Sequence, residues 1–148
     1  KKKTKKHIIH LDGDEIRFLF ENRDYSVKGR EKNAKVISNL SNFLNDDNVI
    51  VVASVLSIFP SWQLWNKKNI KNYFEVYVKV DFEKLLKREI KSLYKDALSG
   101  KINNVVGVDI KFPEPNPDYI FDNNEDGLDF SIKFKEIIEK MNQKGIIL

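Results

Sequence analysis

Apolar residues recur along this chain with two different periods, and the switches between them mark out its elements. Residues 7–11, His-Ile-Ile-His-Leu, are a short β-rich run that stops at Asp12-Gly13, which predicts a buried strand ending in a turn. A short helix is expected over 15–20. A longer one is expected over 28–44, where Ala34, Ile37, Leu40, Phe43 and Leu44 fall at helical spacing and Asp46-Asp47 follow. Residues 49–53, Val-Ile-Val-Val-Ala, are continuous and β-branched, as in a strand covered on both faces of a parallel sheet. Beyond them the pattern predicts a helix over 61–70 after Pro60, a strand over 73–80 and a helix over 82–98. A fourth strand over 119–121 and a closing helix over 128–141 complete the series. Strand alternating with helix predicts an α/β fold: three layers around one mostly parallel sheet with right-handed crossovers. The whole of 1–148 reads as a single domain, with no internal repeat and one Pro-rich turn at 113–117.

Composition narrows the class. Hydrophobic residues at 41% and charged residues at 32% suit a globular chain rather than a disordered one. The absence of Cys excludes a disulfide framework, a thiolate metal site and a Cys nucleophile. No apolar run approaches the ~18 residues of a membrane span and no cleavable leader is recognisable, so a cytoplasmic protein without a membrane partner is expected. The net charge is +4, and five of the first six residues are Lys. Such a cluster is either a basic tail for an acidic partner or the exposed end of a helix that begins upstream. The second reading is adopted here, and no nucleic-acid partner is expected.

Candidate chemistry gathers at a few places. Asp12 and Asp14 fall at the end of a predicted strand, where open α/β sheets bind ligands. Two carboxylates one Gly apart can hold the water ligands of Mg²⁺ and accept a proton during phosphoryl transfer, although D-G-D alone also serves as a plain turn. Arg17 and Arg30 offer planar forks of donors suited to phosphate or sulfate oxygens, the alternative being solvated surface charge. Arg30 and Asn33 are three apart and share a helix face near its N-terminus, which favours anions. Trp62 and Trp65 are read as packing, and Phe59 is equally open to a core role. His7 and His10 point to opposite faces of their strand, which argues against a shared metal or catalytic role.

Five stretches occur in a telling order: Leu11-Asp12-Gly13-Asp14-Glu15-Ile16-Arg17, Arg30-Glu31-Lys32-Asn33, Ser57-Ile58-Phe59, Leu93-Tyr94-Lys95-Asp96-Ala97-Leu98-Ser99-Gly100 and Val105-Val106-Gly107-Val108-Asp109. The series resembles the adenylyl-sulfate kinases, in which L-D-G-D-x-x-R, R-x-x-N, an S-P-F-like turn, an L-Y-K-x-A-x-x-G lid and an F-T-G-I-D loop recur in that order. The resemblance implies a P-loop nucleotide kinase that uses ATP and Mg²⁺ to phosphorylate the 3′-hydroxyl of a nucleotide with a modified 5′-phosphate. The family's G-x-x-G-x-G-K-[ST] loop does not occur in these 148 residues. A strand, loop and helix of about thirty residues are therefore expected upstream.

By the same resemblance, Asp12 and Asp14 face the transferred phosphate, one towards the metal's waters and the other near the acceptor hydroxyl. Lys91 closes over the reaction as a third catalytic residue. Arg17, Tyr25, Arg30, Asn33, Ser57, Ile58, Lys95, Val105 and Val106 bind the acceptor, and Arg88 lies along the ATP base. The departures are also informative. The Lys and Glu of the family's R-K-E-N are inverted here, and the two arginines that follow it are Lys35 and Val36. The Pro-Gly punctuation before the lid is lost, so helix 82–98 is expected to run on. The family's two phenylalanines, which hold the acceptor's adenine, are matched by Tyr25 and Val105. Relatives in bacterial capsule pathways phosphorylate a cytidine diphosphate bearing a phosphoramidate, and a smaller base beside Val105 fits that alternative. A non-catalytic nucleotide-binding or interaction domain is the reading from another class, and a homodimer is left open.

Overall fold

The computed structural model describes residues 6–45, 49–88 and 92–146. The described residues up to Tyr73 form one compact unit and those from Phe74 onward a second.

In the first unit, β1 (His7–Asp12) and β2 (Val49–Ser54) pair in parallel, with Ile9 opposite Val51 and Asp12 opposite Ser54. Between them run α1 (Gly13–Leu19) and α2 (Val27–Leu44), and α3 (Pro60–Asn69) follows. Leu11, Ile16 and Ile37 are buried at its centre, and Ile9, Val36, Leu40, Leu44 and Val51 pack against them. Alternation along β1 thus sends the odd-numbered apolar residues into the core. The expectation that residues 49–53 are covered on both faces needs correction: Ile8 and Val52 are 70% and 46% exposed, because the helical packing described here covers the face of Ile9, Leu11 and Val51. Pro60 starts α3, where a missing N–H costs nothing. The Trp62 and Trp65 rings pack on each other at 5.6 Å.

In the second unit, β3 (Val76–Lys79) and β4 (Tyr119–Asp122) are also parallel, with Val78 opposite Phe121. Strand directions are as expected, parallel within each pair. The helix expected over 82–98 is broken into α4 (Phe82–Arg88) and α5 (Leu93–Leu98). Ser92 has φ +56°, a left-handed conformation that cannot continue a right-handed helix. The closing helix α6 (Phe130–Gln143) starts two residues later than expected, because the Asp129 carboxylate caps it by accepting the Ser131 N–H at 2.8 Å. Its tie to the strands is the Tyr119 hydroxyl donating to Glu136, together with Phe130 stacked on Phe121 at 5.9 Å. Ile132 and Phe134 of α6 remain exposed.

Candidate active site

The strand–turn–helix at the end of β1 explains what each aspartate can do. Asp12 closes the strand in an extended conformation, and its Oδ1 accepts the N–H groups of Asp14 at 2.9 Å and Glu15 at 3.2 Å. It is the N-cap of α1, so half of its carboxylate is spent on folding. Asp14, expected at a strand end, instead lies in the first turn of α1, because helix starts at Gly13 as soon as Asp12 caps it. Its carboxylate is exposed and takes part in no hydrogen bond or ion pair among the described residues. A Cβ on Gly13 would stand 3.3 Å from Ser54 O, so the bare glycine lets the turn lie close to the end of β2. The Asn33 amide donates to Gly13 O at 3.2 Å and fastens the same turn to α2. Also at this end, His10 Nε2 lies 2.8 Å from Ser54 Oγ.

Arg17 and Arg30, two of this unit's three arginines, converge on one aromatic ring. Arg17 is buried, donates from Nη1 to Asp24 O at 2.9 Å, and sits 4.7 Å over the Tyr25 ring. Arg30 donates from Nε to Tyr25 O at 2.9 Å, and its guanidinium is 5.7 Å from the same ring. The electron-rich tyrosine face attracts both cations. Tyr25 itself is half exposed. The loop beneath it is knotted by its own polar side chains. Asn22 donates to Gly29 O at 2.8 Å and accepts from Asp24 N at 3.3 Å, while Asp24 Oδ1 accepts Ser26 N at 2.8 Å. Those Ser26 bonds, and then the charges of Arg17 and Lys28, hold the Asp24 carboxyl below its ordinary range. Ser57, half-buried, accepts from the amide of buried Gln63 at 3.3 Å, and Ile58 is buried beside it in sequence.

In the second unit, Arg88 is gripped along its edge. Nη1 donates to Asn123 O at 2.6 Å, and Nη2 to Glu125 O at 3.2 Å and Asp126 Oδ1 at 2.6 Å. The Lys84 ammonium donates to Asn124 O, and Asn124 Oδ1 accepts Asp81 N at 2.9 Å. Arg88 in turn lowers the Asp126 pKa, chiefly through that hydrogen bond. A guanidinium bonded by its edge keeps its planar faces for stacking. It borders a hollow of about 280 Å³ with Asn123, Glu125, Asp126, Gly127, Leu128 and Phe130.

The 104–110 loop is tied by one carboxylate: Asp109 accepts Asn104 N and Val105 N, both at 2.6 Å. Val105 and Val106 are buried at 6% and 8% exposure, so what they contribute is the shape of the loop. Gly107 has φ +90°, and a Cβ there would meet the Phe82 ring at 3.8 Å. Phe82 also packs edge-on to Tyr94 of α5 at 5.4 Å. Lys95 is exposed on α5, and Lys91 lies outside the described residues.

The structure therefore draws together Arg17, Tyr25 and Arg30, and separately Asp12, Asp14 and Asn33 around one turn. Residues not singled out from the sequence do much of the holding: Asn22, Asp24, Gly29, Gln63, Asp109 and Asp126. For the first two a signal existed, since Asn and Asp close to a Ser before a helix are the residues of Asx turns.

With this geometry in hand, the family is plain. The model of the adenylylsulphate kinase family matches residues 1–122, and the chain belongs to that family. It is thus one of the phosphotransferases that move a phosphoryl group to a nucleotide alcohol. Among curated relatives, the cytidine diphosphoramidate kinase of Campylobacter jejuni is 39% identical over 119 residues, covering 80% of this chain and 70% of that protein. A probable adenylyl-sulfate kinase of Archaeoglobus fulgidus is 32% identical over 117 residues, 78% of this chain and 76% of its own. The APS kinase of Mycobacterium tuberculosis, solved in complex with AMPPNP and APS, superposes with a TM-score of 0.76 at 23% identity, covering 91% of this chain and 81% of that one. At that identity the likeness speaks for the fold. Among the described residues no helix is long and apolar enough to cross a membrane.

Proposed function

We propose that this chain serves an ATP-dependent kinase that phosphorylates the 3′-hydroxyl of a cytidine diphosphate carrying a phosphoramidate. The observation that carries this reading is the exposed carboxylate of Asp14, without hydrogen bond or ion pair among the described residues, one helical turn from Arg17. A base for a hydroxyl proton thereby stands beside a cationic, ring-lined receptor for an anionic nucleotide. Identity of 39% to a cytidine diphosphoramidate kinase favours the cytidine acceptor. Adenylyl sulfate is the second reading, favoured by the family match itself.

We assign roles on the support of this geometry and, for Lys91, of the resemblance alone. Asp14 accepts the acceptor's proton. Asp12, with one oxygen on the helix cap, has its other oxygen for the water shell of Mg²⁺, which binds through few carboxylates and many waters and phosphates. Arg17 and Arg30 supply positive charge to the acceptor's acidic groups, Tyr25 offers it an aromatic surface, Asn33 fastens the Gly13 turn to α2, and Ser57 and Ile58 are assigned to the acceptor's binding. In the second unit we assign Arg88 to the ATP base, because its edge is held by Asn123 O and Asp126 Oδ1 and a guanidinium so held can stack by its face. Lys95 is assigned to the acceptor's charge, Lys91 to the reacting phosphate, and Val105 and Val106 to the form of the acceptor loop.

The test is a phosphorylation assay of the full-length gene product with Mg-ATP and each acceptor in turn. A higher kcat/KM for the cytidine acceptor is expected. Preference for adenylyl sulfate would install the second reading, and no transfer to either would return the chain to a non-catalytic nucleotide-binding role.

A further inference from the structure

The loop between α1 and α2 closes on a residue without a side chain. Gly29 lies in the first turn of α2 and is buried, and its backbone is not left-handed, so conformational freedom does not account for a glycine here. Space does. A Cβ on Gly29 would stand 2.1 Å from Asp24 O, 2.5 Å from Asp24 Cγ and 2.6 Å from Asp24 Cβ. A side-chain rotation could relieve the Cγ contact, but neither the carbonyl contact nor the Cβ one, because both atoms are fixed by the Asp24 backbone.

That same carbonyl has a second role. Asp24 O accepts the hydrogen bond from Arg17 Nη1, and Arg17 in turn lies over Tyr25. Asn22 reaches across to Gly29 O, and Arg30, the residue after Gly29, donates to Tyr25 O. These bonds, which place the Tyr25 ring and its two guanidiniums, therefore run through a short loop pressed against Gly29. Displacing Asp24 by the width of a methyl group would lengthen the Arg17 bond and move the ring away from both cations.

We propose that Gly29 is a positioning residue for acceptor recognition: by lacking a side chain it holds a pre-formed Arg17–Tyr25–Arg30 receptor in the geometry that accepts an anionic nucleotide. The inference rests on the reading that this loop receives the acceptor. It differs from a merely structural role in its direction, since helix propensity alone favours Ala at this position and would stabilise α2.

The experiment is Gly29→Ala in the full-length gene product, read by two methods. Amide hydrogen exchange at Ser26, whose N–H is bonded to Asp24 Oδ1, reports the loop itself. Steady-state kinetics reports the acceptor and ATP separately. Expected are faster exchange at Ser26, an acceptor KM raised on the order of tenfold, and an unchanged KM for ATP, because a small misplacement of a binding group costs about that much or more. Unchanged exchange at Ser26 would overturn the proposal outright. Faster exchange with an unchanged acceptor KM would show that the loop is held by Gly29 but does not receive the acceptor, which removes the reading beneath it. A wild-type measurement covers a variant that does not fold. The Ser26 amide must be protected before any acceptor is added, and protection that appears only with the acceptor would mean an induced loop and no positioning by Gly29.

Discussion

The two units hold their arginines in opposite ways. In the first, Arg17 is fixed by carbonyls five and seven residues further along the chain, and Arg30 by the carbonyl of Tyr25. In the second, Arg88 is fixed by acceptors 35 to 38 residues away, and Lys84 by one 40 residues away. A local knot forms whenever its short segment does. A distant one must close a long loop first, and the entropy of that closure makes it easier to open. The comparison teaches that the unit with Asp14 is held by local bonds and built to stay as it is. The unit with Arg88 is built on distant contacts that can be broken and remade.

The sharpest test of that division concerns the first unit's two aspartates. Asp14→Asn is expected to cut kcat by ~10²–10⁴-fold with an unchanged melting temperature, since it removes the proposed proton acceptor and, among the described residues, no hydrogen bond or ion pair of that carboxylate. Asp12→Ala is expected to lower stability as well, by about 1 kcal/mol, because the cap of α1 goes with it. Parallel kinetics and thermal melts separate the two, and equal melts would mean that Asp12 is not acting as a cap.

The second unit should respond through ATP. Arg88→Lys keeps the charge but cannot bond the Asn123, Glu125 and Asp126 acceptors as a planar fork. An increase of about tenfold in the KM for ATP is expected with the acceptor KM unmoved, and the reverse pattern would break the assignment of Arg88. Val105→Phe is a smaller test. A buried Val replaced by a ring overpacks the 104–110 loop, so a loss of about 1–3 kcal/mol in urea unfolding is expected. The ratio of kcat/KM for the two acceptors should then stay constant, whereas a ratio shifted towards adenylyl sulfate would place Val105 against the base.

The smallest expected effect is a pH dependence. The Glu136 carboxylate accepts the Tyr119 hydroxyl, which pushes Tyr119 from 10.0 up to about 12 and draws Glu136 below 4.5. For Tyr119 the bond therefore stabilises the fold below pH 10 and is lost as pH rises towards 12. For Glu136 the contribution is present above 4.5 and is lost as pH falls below it. Urea midpoints of the wild type should decline between about pH 10 and 12, and those of Tyr119→Phe should decline less.

Much of this was legible in advance, for a physical reason that follows the same division. Strand and helix periods located the elements apart from the break between α4 and α5, and Asp12, Asp14, Arg17, Tyr25 and Arg30 were singled out with the help of the family resemblance, within stretches short enough to be compared residue by residue. The break at Ser92 was not legible, because nothing in Ser announces a left-handed backbone. Neither was the hold of the 123–126 loop on Arg88, since no local pattern reports a partner 35 residues away. Gly29 was overlooked because a glycine inside a helix reads as a weakness until the atom it makes room for is known. Asp14 was placed on the strand because the cap that starts α1 at Gly13 uses the very motif that marks the site.

The register of β1 on β2 has a consequence for how such a protein diversifies. Pairing Asp12 with Ser54 puts Leu11 in the core, Asp12 on the helix and Asp14 one step beyond, so a slip of one residue would lose all three together. The strand pair acts as a ruler that tolerates no insertion. The Asn22–Ser26 loop lies off that ruler, anchored by its own side chains at the start of α2. Descendants of this sequence can therefore shorten, lengthen or rewrite the loop while the turn that carries Asp14 is inherited unchanged.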